Sequence, residues 1–247
     1  MLGLVTQSYF EVGAVDAEAA IEAAVQDACR LGAELRTRTT VERIHEDQEG
    51  VHLTTNQGSI HCQRLVVCAG AWSQKLLPSL ESQLQVTRQL QAWIKPANPA
   101  IIQPERLPAW FLVRDEEPPL YGIPADPLAP GSPLAKVSIH GRPEKADPDT
   151  LARTVSPAER AEFQSLVDHW MPRLAARVTD AKVCMYTMTP DEHFLVDQAP
   201  GMKRTWFAAG LSGHGFKMTP ALGQVLSDLA LDGASKLPAG FLGLRDM

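Results

Sequence analysis

Hydrophobic positions change their spacing along this chain, and each change predicts a different element. Near the N-terminus they recur every three or four residues, which is the period of an amphipathic helix. Asp16 is a suitable N-cap and Gly32 a suitable stop, so a helix is predicted from Asp16 to about Leu31. Its apolar face is expected to pack in a core, and that face is made of Ile21, Val25, Ala28 and the adjacent Cys29.

Short runs of strand-forming residues follow this helix. The predicted strands are Ala33–Arg38, Val41–Glu46, Val51–Thr55 and Ser59–Gln63, with a hairpin turn at 56–58. The next run, Leu65–Gly70, has no polar alternation, which is typical of a strand covered on both faces in a parallel sheet. Another helix is predicted to begin at Ala71.

The middle of the chain is rich in proline, because ten of the nineteen prolines fall between Pro96 and Pro133. Proline removes backbone donors, so this region favours short, irregular, antiparallel strands. The predicted strands are Thr87–Ile94, Trp110–Val113, Leu120–Ile123 and Leu134–Ile139. Ser156 and Glu159 form a capping box around Pro157 and predict the start of a helix.

The last part of the chain contains a strand, a glycine-rich turn and a helix in succession. The predicted strands are Lys182–Thr187, Phe194–Val196 and Trp206–Ala209, and apolar residues at helical spacing continue from Thr219 to Leu231. Glycines allow close approach of the backbone, and amides at a helix start favour an anionic ligand atom. The segment Trp206–Lys217 is therefore predicted to form a cofactor-binding corner.

This order of elements predicts a mixed α/β fold. Residues 1–83 and 181–247 are expected to form a Rossmann-like nucleotide-binding domain, with an antiparallel substrate domain inserted at residues 84–180. The G-x-G-x-x-G loop that opens such a domain has no match in the sequence, since the partial match at 213–218 lacks the last glycine. A preceding N-terminal segment is therefore expected to be missing.

Charge and composition make several kinds of partner improbable. The net charge is −6 and the basic residues are scattered, so no nucleic acid partner is expected. The sequence has neither a membrane-length apolar run nor a signal peptide, so a cytoplasmic protein without membrane contact is expected. The four cysteines form no CxxC pair and are expected to be reduced. Three adjacent residues at 191–193 cannot converge on one ion, so no metal is expected.

The glycine-rich turn also comes within one residue of a hydrolase motif. Gly210–His214 would match the G-x-S-x-G nucleophile elbow if its fifth residue were glycine. A hydrolase of this type also needs an acid and a histidine after the serine. The only later histidine, His214, lies too close in sequence to Ser212. Serine hydrolysis is therefore a distant alternative.

Several segments, in their order along the chain, resemble the flavin-dependent amine oxidases of the monomeric sarcosine oxidase and N-methyltryptophan oxidase family. Each motif is weak alone, but their shared order is specific. The segments are Cys68–Trp72, Arg88–Gln89, Tyr121–Pro124, Lys136–His140, Val183–Thr187, Thr189–Asp197 and Gly210–Lys217.

The resemblance implies FAD as the cofactor, joined covalently through the Cys184 thiol. It implies that Lys136 activates dioxygen beside the flavin and that Lys217 binds the substrate carboxylate. The other residues that it places in the active site are His140, Tyr121 and Tyr186. The remaining residues that it places at the cofactor are Met185, Val41, Ala69, Gly70, Trp72, Gly213, His214, Gly215 and Phe216.

From the residues alone, simpler interpretations stay open: Cys184 as a buried strand cysteine, Lys136 as an outward-facing lysine, and His140 as a structural histidine. The implied reaction oxidises a small secondary amino acid, of the sarcosine or N-methyl type, to an imine while O₂ becomes hydrogen peroxide. Without the dinucleotide loop, the chain alone is expected to hold FAD poorly and to be inactive. Three organisations compete: a truncated oxidase, a non-catalytic remnant, and one subunit whose dinucleotide-binding half is a separate chain.

Overall fold

The computed structural model describes residues 14–114, 117–125 and 132–244. Its α-helices are α1 (Ala17–Arg30), α2 (Ser73–Leu76), α3 (Pro157–Trp170) and α4 (Thr219–Asp232). Its strands are β1 (Val41–Glu46), β2 (Val51–Thr55), β3 (Gly58–Cys62), β4 (Leu65–Val67), β5 (Gln85–Lys95), β6 (Trp110–Arg114), β7 (Glu117–Ile123), β8 (Ala135–Ile139), β9 (Arg177–Met188), β10 (Leu195–Gln198) and β11 (Thr205–Ala209). None of the described helices is long and apolar enough to cross a membrane.

The described chain divides into two units. The middle unit is Thr87–Met185 together with residues 14–16, and the flanking unit is Ala17–Val86 together with residues 186–244. The limits predicted for the substrate domain, residues 84 and 180, lie a few residues before the limits of the middle unit. Helices occur together with sheets, so the predicted mixed α/β class is confirmed.

The middle unit is built on a five-stranded sheet with the strand order β6-β7-β8-β5-β9. The pairs β6–β7, β7–β8 and β5–β8 are antiparallel, as the proline-rich sequence predicts. The residues on one face are almost fully buried: Leu90, Ala92, Ile94, Leu120, Ala135, Val137 and Ile139. Phe163 and Val167 of α3 belong to the same core, so α3 covers this face of the sheet.

Arg88 of β5 fixes the start of α3 from the core side of the sheet. The predicted capping box is confirmed, since Ser156 accepts from the Glu159 amide and the Glu159 carboxylate accepts from the Ser156 amide. The Arg88 guanidinium, 6% exposed, bonds to that same carboxylate and donates to the Ala152 and Thr154 carbonyls at 3.2 and 3.1 Å. Burial acts to raise the pKa of Glu159, but its hydrogen bonds from Arg88 and Ser156 hold the pKa at about 2.

The flanking unit contains two three-stranded sheets. β1, β2 and β3 form an antiparallel meander, and the second sheet has the order β10-β11-β4 with β11 parallel to β4. Trp206 and Ala208 of β11 pack with α4, whereas Phe207 and Ala209 pack with a cluster that includes Leu77. Because β4 and β11 are parallel, the segments that follow them leave the same edge of the sheet.

Two predictions for the N-terminal part are wrong. Residues 33–38 are not a strand but a turn and irregular backbone. No described strand pairs with them, and an extended segment without a ladder partner leaves its backbone groups to water. α1 forms as predicted, but none of its residues is buried, and Cys29 is exposed. Its many alanines favour a helix without packing, and helical spacing shows which residues share a face rather than whether that face is covered.

The expectation that β4 is covered on both faces is also wrong. Val67 is buried, but Val66, which points to the other face, is 39% exposed. Only one face of β4 is packed in the described part of the chain. In contrast, all five residues of β11 are buried, because α4 covers one face and the Leu77 cluster the other. Two similar apolar runs therefore differ in burial because of what packs on them.

Candidate functional site

The face of the middle sheet that points away from α3 carries the predicted side chains of this unit. Side chains that lie directly opposite on neighbouring strands share a face. Lys136 is paired with Trp93, and Ser138 is paired with both Gln91 and Tyr121. Lys136 and Ser138 are two residues apart, so all five side chains point to one face, opposite to the core. We call it the free face.

Tyr121 lies at the centre of a group of cationic and aromatic side chains on the free face. Lys136 Nζ is 5.8 Å from the centroid of the Tyr121 ring, and the His140 ring centroid is 6.2 Å from it at an interplanar angle of 82°. Phe111 of the edge strand meets His140 at 5.6 Å and 67°. Edge-to-face geometry of this kind favours ordered ring positions. Three residues predicted for catalysis, Lys136, His140 and Tyr121, are therefore neighbours.

Cys184 lies on β9, beside β5, and is half-buried. Gln91 Nε2 donates a hydrogen bond to Cys184 Sγ at 3.4 Å. Burial raises the pKa of the Cys184 thiol, and the Lys136 ammonium and the Gln91 amide oppose that rise. Burial likewise lowers the pKa of Lys136, with Cys184 opposing. The hydrogen bond from Gln91, which shares the free face with Lys136, therefore places Cys184 beside this group, and the Lys136 ammonium favours the thiolate form of Cys184.

Strand alternation separates the side chain of Met185 from that of Cys184. Consecutive residues of a strand point to opposite faces, so Met185 lies on the other face of β9. If Met185 contacts the cofactor on the free face, as predicted, it therefore does so through its backbone atoms. Sequence reasoning missed Gln91, Trp93 and Phe111, which lie on the free face. A period-two pattern in β5 could have identified the first two, because they alternate with the buried residues Leu90, Ala92 and Ile94.

In the flanking unit, the predicted turn after β11 has a backbone that favours glycine. Gly210 and Gly213 have φ of 62° and 78°, in the left-handed region. A Cβ atom at Gly213 would lie 2.2 Å from the Tyr186 ring, so the ring packs directly on the glycine backbone. At Gly215 a Cβ atom would lie 2.5 Å from Leu211. The glycines therefore allow close packing of this turn against Tyr186.

Ser212, the residue of the hydrolase alternative, is 1% exposed and holds the turn together. Its hydroxyl donates to the Gly210 carbonyl at 3.1 Å and accepts from the Thr189 amide at 3.3 Å. His214 Nδ1 lies 3.0 Å from the Ser212 carbonyl oxygen, and its ring lies 4.8 Å from that of Phe194. These contacts give no support to Ser212 as a nucleophile with His214 as its base.

Two exposed corners follow the parallel strands β4 and β11. After β11, Phe216 and Lys217 are exposed in a 3₁₀ helix, Phe216–Met218, that leads into α4. After β4, Gly70 has φ of 54°, and a Cβ atom there would meet no atom within 4 Å. Trp72 is 39% exposed, Ala69 is half-buried, and Val41 is half-buried at the start of β1. The predicted cofactor segments that follow β4 and β11 therefore leave one sheet edge, where open α/β sheets bind ligands, whereas Val41 belongs to the separate β1-β2-β3 sheet.

The predicted residues form two groups, one in each unit. In the middle unit, a thiol interacts with a cation on a half-buried face, and this donor set suits a covalently held flavin whose reduced ring carries negative charge. In the flanking unit, glycine corners leave backbone within reach of a ligand, which suits a ring or phosphate oxygen.

Comparison with known proteins identifies the class. A sequence profile described as FAD dependent oxidoreductase matches residues 5–229, and the chain belongs to that family. It is 33% identical over 241 residues to the monomeric sarcosine oxidase of Streptomyces avermitilis, covering 95% of this chain and 61% of the relative. It is 31% identical over 221 residues to the N-methyl-L-tryptophan oxidase of Salmonella heidelberg, covering 89% of this chain and 57% of the relative.

Solved structures show the same fold. NikD, an unusual amino acid oxidase essential for nikkomycin biosynthesis, matches with a TM-score of 0.78 and 20% identity, over 92% of this chain and 60% of that chain. Glycine oxidase from Geobacillus kaustophilus matches with a TM-score of 0.72 and 19% identity, over 92% and 57%. This chain therefore spans 57–61% of the length of these four proteins.

Proposed function

We propose that this chain functions in an FAD-dependent oxidase of secondary amino acids, of the sarcosine or N-methyl amino acid type. The observation that supports this most directly is the free face of the middle sheet, where Lys136, His140 and Tyr121 are neighbours and Lys136 interacts with Cys184. The named relatives, a sarcosine oxidase and an N-methyl-L-tryptophan oxidase, supply the substrate class.

In the proposed reaction the amine loses two electrons and two protons and becomes an imine, while O₂ gains both and becomes hydrogen peroxide. FAD, when bound, supplies the two-electron acceptor between the two substrates. Lys136 places a fixed positive charge where O₂ acquires its first electron, and a preorganised charge of this kind stabilises the developing anion. Its partly buried position strengthens the effect, because screening by water is weaker there.

The substrate is proposed to be held by its carboxylate and its apolar surface. Lys217 is exposed in the 3₁₀ helix that leads into α4 and supplies a cation for the carboxylate. Tyr121 and His140 supply aromatic surface and a hydrogen-bonding group on the free face, and Tyr186 supplies a ring at the glycine turn. These roles are proposed by family likeness, residue by residue.

Cys184 is proposed as the residue that attaches FAD covalently. Attachment requires loss of the thiol proton, and the interaction with the Lys136 ammonium favours the resulting thiolate. The pyrophosphate of FAD needs a dinucleotide-binding element in addition to the residues described here. We propose that this element belongs either to the same polypeptide or to a separate partner chain.

Two measurements test the proposal on the protein assembled with its dinucleotide-binding element. Peroxide formation from a panel of sarcosine, N-methyl-L-tryptophan and cyclic amino acids is expected for at least one N-methyl substrate, and no turnover of any of them contradicts the proposed activity. After acid precipitation, flavin colour is expected in the protein pellet and is expected to move to the supernatant in Cys184→Ala. Colour that stays in the pellet of this variant contradicts the attachment site.

A further inference from the structure

Gln91 is a polar residue on the free face that the family likeness does not explain. It lies on β5, between β8 with Lys136 and β9 with Cys184. Its side-chain amide donates to Cys184 Sγ at 3.4 Å, across a separation of 93 positions in the sequence. The contact therefore depends on the neighbouring positions of β5 and β9 in the sheet.

Gln89, two residues earlier on the same face, shows how a structural glutamine differs from Gln91. Gln89 is 1% exposed, and its amide donates to Thr87 Oγ1 at 2.8 Å and to the Arg142 carbonyl at 2.9 Å. It also accepts from the Arg142 amide at 3.0 Å. Those bonds join neighbouring segments of the sheet. Gln91 instead donates to a thiol, which accepts weakly when neutral and strongly when ionised.

We propose that Gln91 is a positioning residue that holds the Cys184 sulfur on the free face and, together with Lys136, stabilises its thiolate. This inference rests on the proposed function, because it concerns the residue proposed to attach FAD. Gln91 supplies a directed hydrogen bond from β5, the strand beside β9, and Lys136 supplies charge from β8, on the far side of β5. Both offset the effect of burial, which raises the pKa of Cys184.

A charge series at position 91 tests the inference without flavin. In the reaction with iodoacetamide, the thiolate forms a bond from sulfur to carbon and iodide leaves, so the rate reports the ionised fraction. The rate at Cys184 is measured by peptide mass spectrometry as a function of pH in Gln91→Lys, Gln91→Leu, Gln91→Glu and the unchanged chain. Cys62, a half-buried thiol of the flanking unit, is the internal control.

The reaction at Cys184 is expected to be fastest with Lys at position 91, slower with Gln, slower again with Leu, and slowest with Glu. Gln91→Leu is expected to react about three- to tenfold more slowly than the unchanged chain, the range that one hydrogen bond gives. Its pH profile is expected to shift to higher pH. Lys136→Met is also expected to slow the reaction, whereas Lys95→Met, at the exposed end of β5, is expected not to.

Equal rates for Gln and Leu at position 91 would overturn the inference. An equal change in all three variants, whatever their charge, would also overturn it, because that result indicates packing alone. A variant that alters the rate at Cys62 disturbs more than position 91 and is set aside. The inference is then decided by Gln91→Glu, which has to slow the reaction at Cys184 while the rate at Cys62 stays unchanged. If the charge order holds but flavin colour never stays in the acid pellet, the contact is real and the proposed attachment is wrong.

Discussion

The two faces of the middle sheet are built from the same strands, yet they differ in the polarity of their side chains and, at several positions, in burial. On the α3 side, Leu90, Ala92 and Val137 are at most 1% exposed. On the free face, their sequence neighbours Gln91, Trp93 and Lys136 are half-buried and carry polar or aromatic groups. Because successive side chains of a strand point to opposite faces, the residues of the core face contribute to stability and those of the free face to the candidate site. Substitutions on one face are therefore expected to leave the other nearly unchanged.

A matched pair of phenylalanines gives the largest expected effect. Phe163 of α3 is fully buried against the core face, whereas Phe111 on the edge strand is 55% exposed. Phe163→Ala is expected to lower the free energy of unfolding of the middle unit by about 3–5 kcal/mol, and Phe111→Ala by about 1 kcal/mol or less. Urea unfolding with hydrogen exchange in β7 and α3 measures both. Equal losses would contradict the difference between the faces.

Lys136→Met, on the free face, is expected to change the proposed activity rather than the stability. Removal of one preorganised charge is expected to slow reoxidation of the reduced flavin by O₂ by about 10²–10³-fold. Flavin reduction by the amine and the stability of the unit are expected to change little. Stopped-flow measurement of the two half-reactions in the assembled protein separates these effects. The control is Lys182→Met, because Lys182 is exposed with its ammonium 5.3 Å from the Trp93 ring. Similar slowing of both half-reactions contradicts the oxygen-activating role.

The Arg88–Glu159 ion pair on the core side predicts that acid lowers the stability of the middle unit. The pKa of Glu159 is about 2 in the folded chain, below its ordinary value of 4.5, so the pair stabilises the fold above about pH 4.5 and this contribution is lost as pH falls towards 2. Arg88→Met is expected to cost about 2–3 kcal/mol at neutral pH, at the low end for a buried pair because Glu159 is 23% exposed.

Acid titration of hydrogen exchange in α3 measures this contribution. The unchanged chain is expected to lose protection between about pH 4.5 and 2, and Arg88→Met to show a shallower loss over the same interval. Arg142→Met is the control, since the Arg142 side chain, 18% exposed, pairs at 3.0 Å with Glu162 of α3, which is 42% exposed. A slope as steep in Arg88→Met as in the unchanged chain would show that Glu159 owes its low pKa to Ser156 alone.

Glycine substitutions extend the comparison to the flanking unit, where the backbone rather than the side chains shapes the candidate site. Gly213→Ala is expected to destabilise this unit by about 1–2 kcal/mol through its positive φ, with a further local change because Tyr186 has to move. Gly223→Ala, inside α4 with open space around its Cβ position, is expected to stabilise by about 0.5–1 kcal/mol. Thermal unfolding compares the two, and the same sign for both would contradict this account of the turn.

Much of the fold could be predicted because its signals are local. The capping box of Ser156 and Glu159, the turn between β2 and β3, and the alternation in β5 each depend on residues close in sequence. Residues 33–38 show the limit. Their alternation of apolar and polar residues favours a strand, but a strand needs a partner, and no described strand pairs with them. Ladder hydrogen bonds are not local, so propensity cannot decide them.

The candidate site divides in the same way. The sequence alone determined the motifs that contain Cys184, Lys136 and the glycine turn, and also the strand spacing that puts Lys136 and Ser138 on one face. Only the tertiary structure decided that α1 is exposed, that one face of β4 is open, and that Gln91 reaches Cys184. The physical reason is that residue spacing defines the direction of a side chain, whereas its neighbour is defined by which distant strand or helix packs beside it.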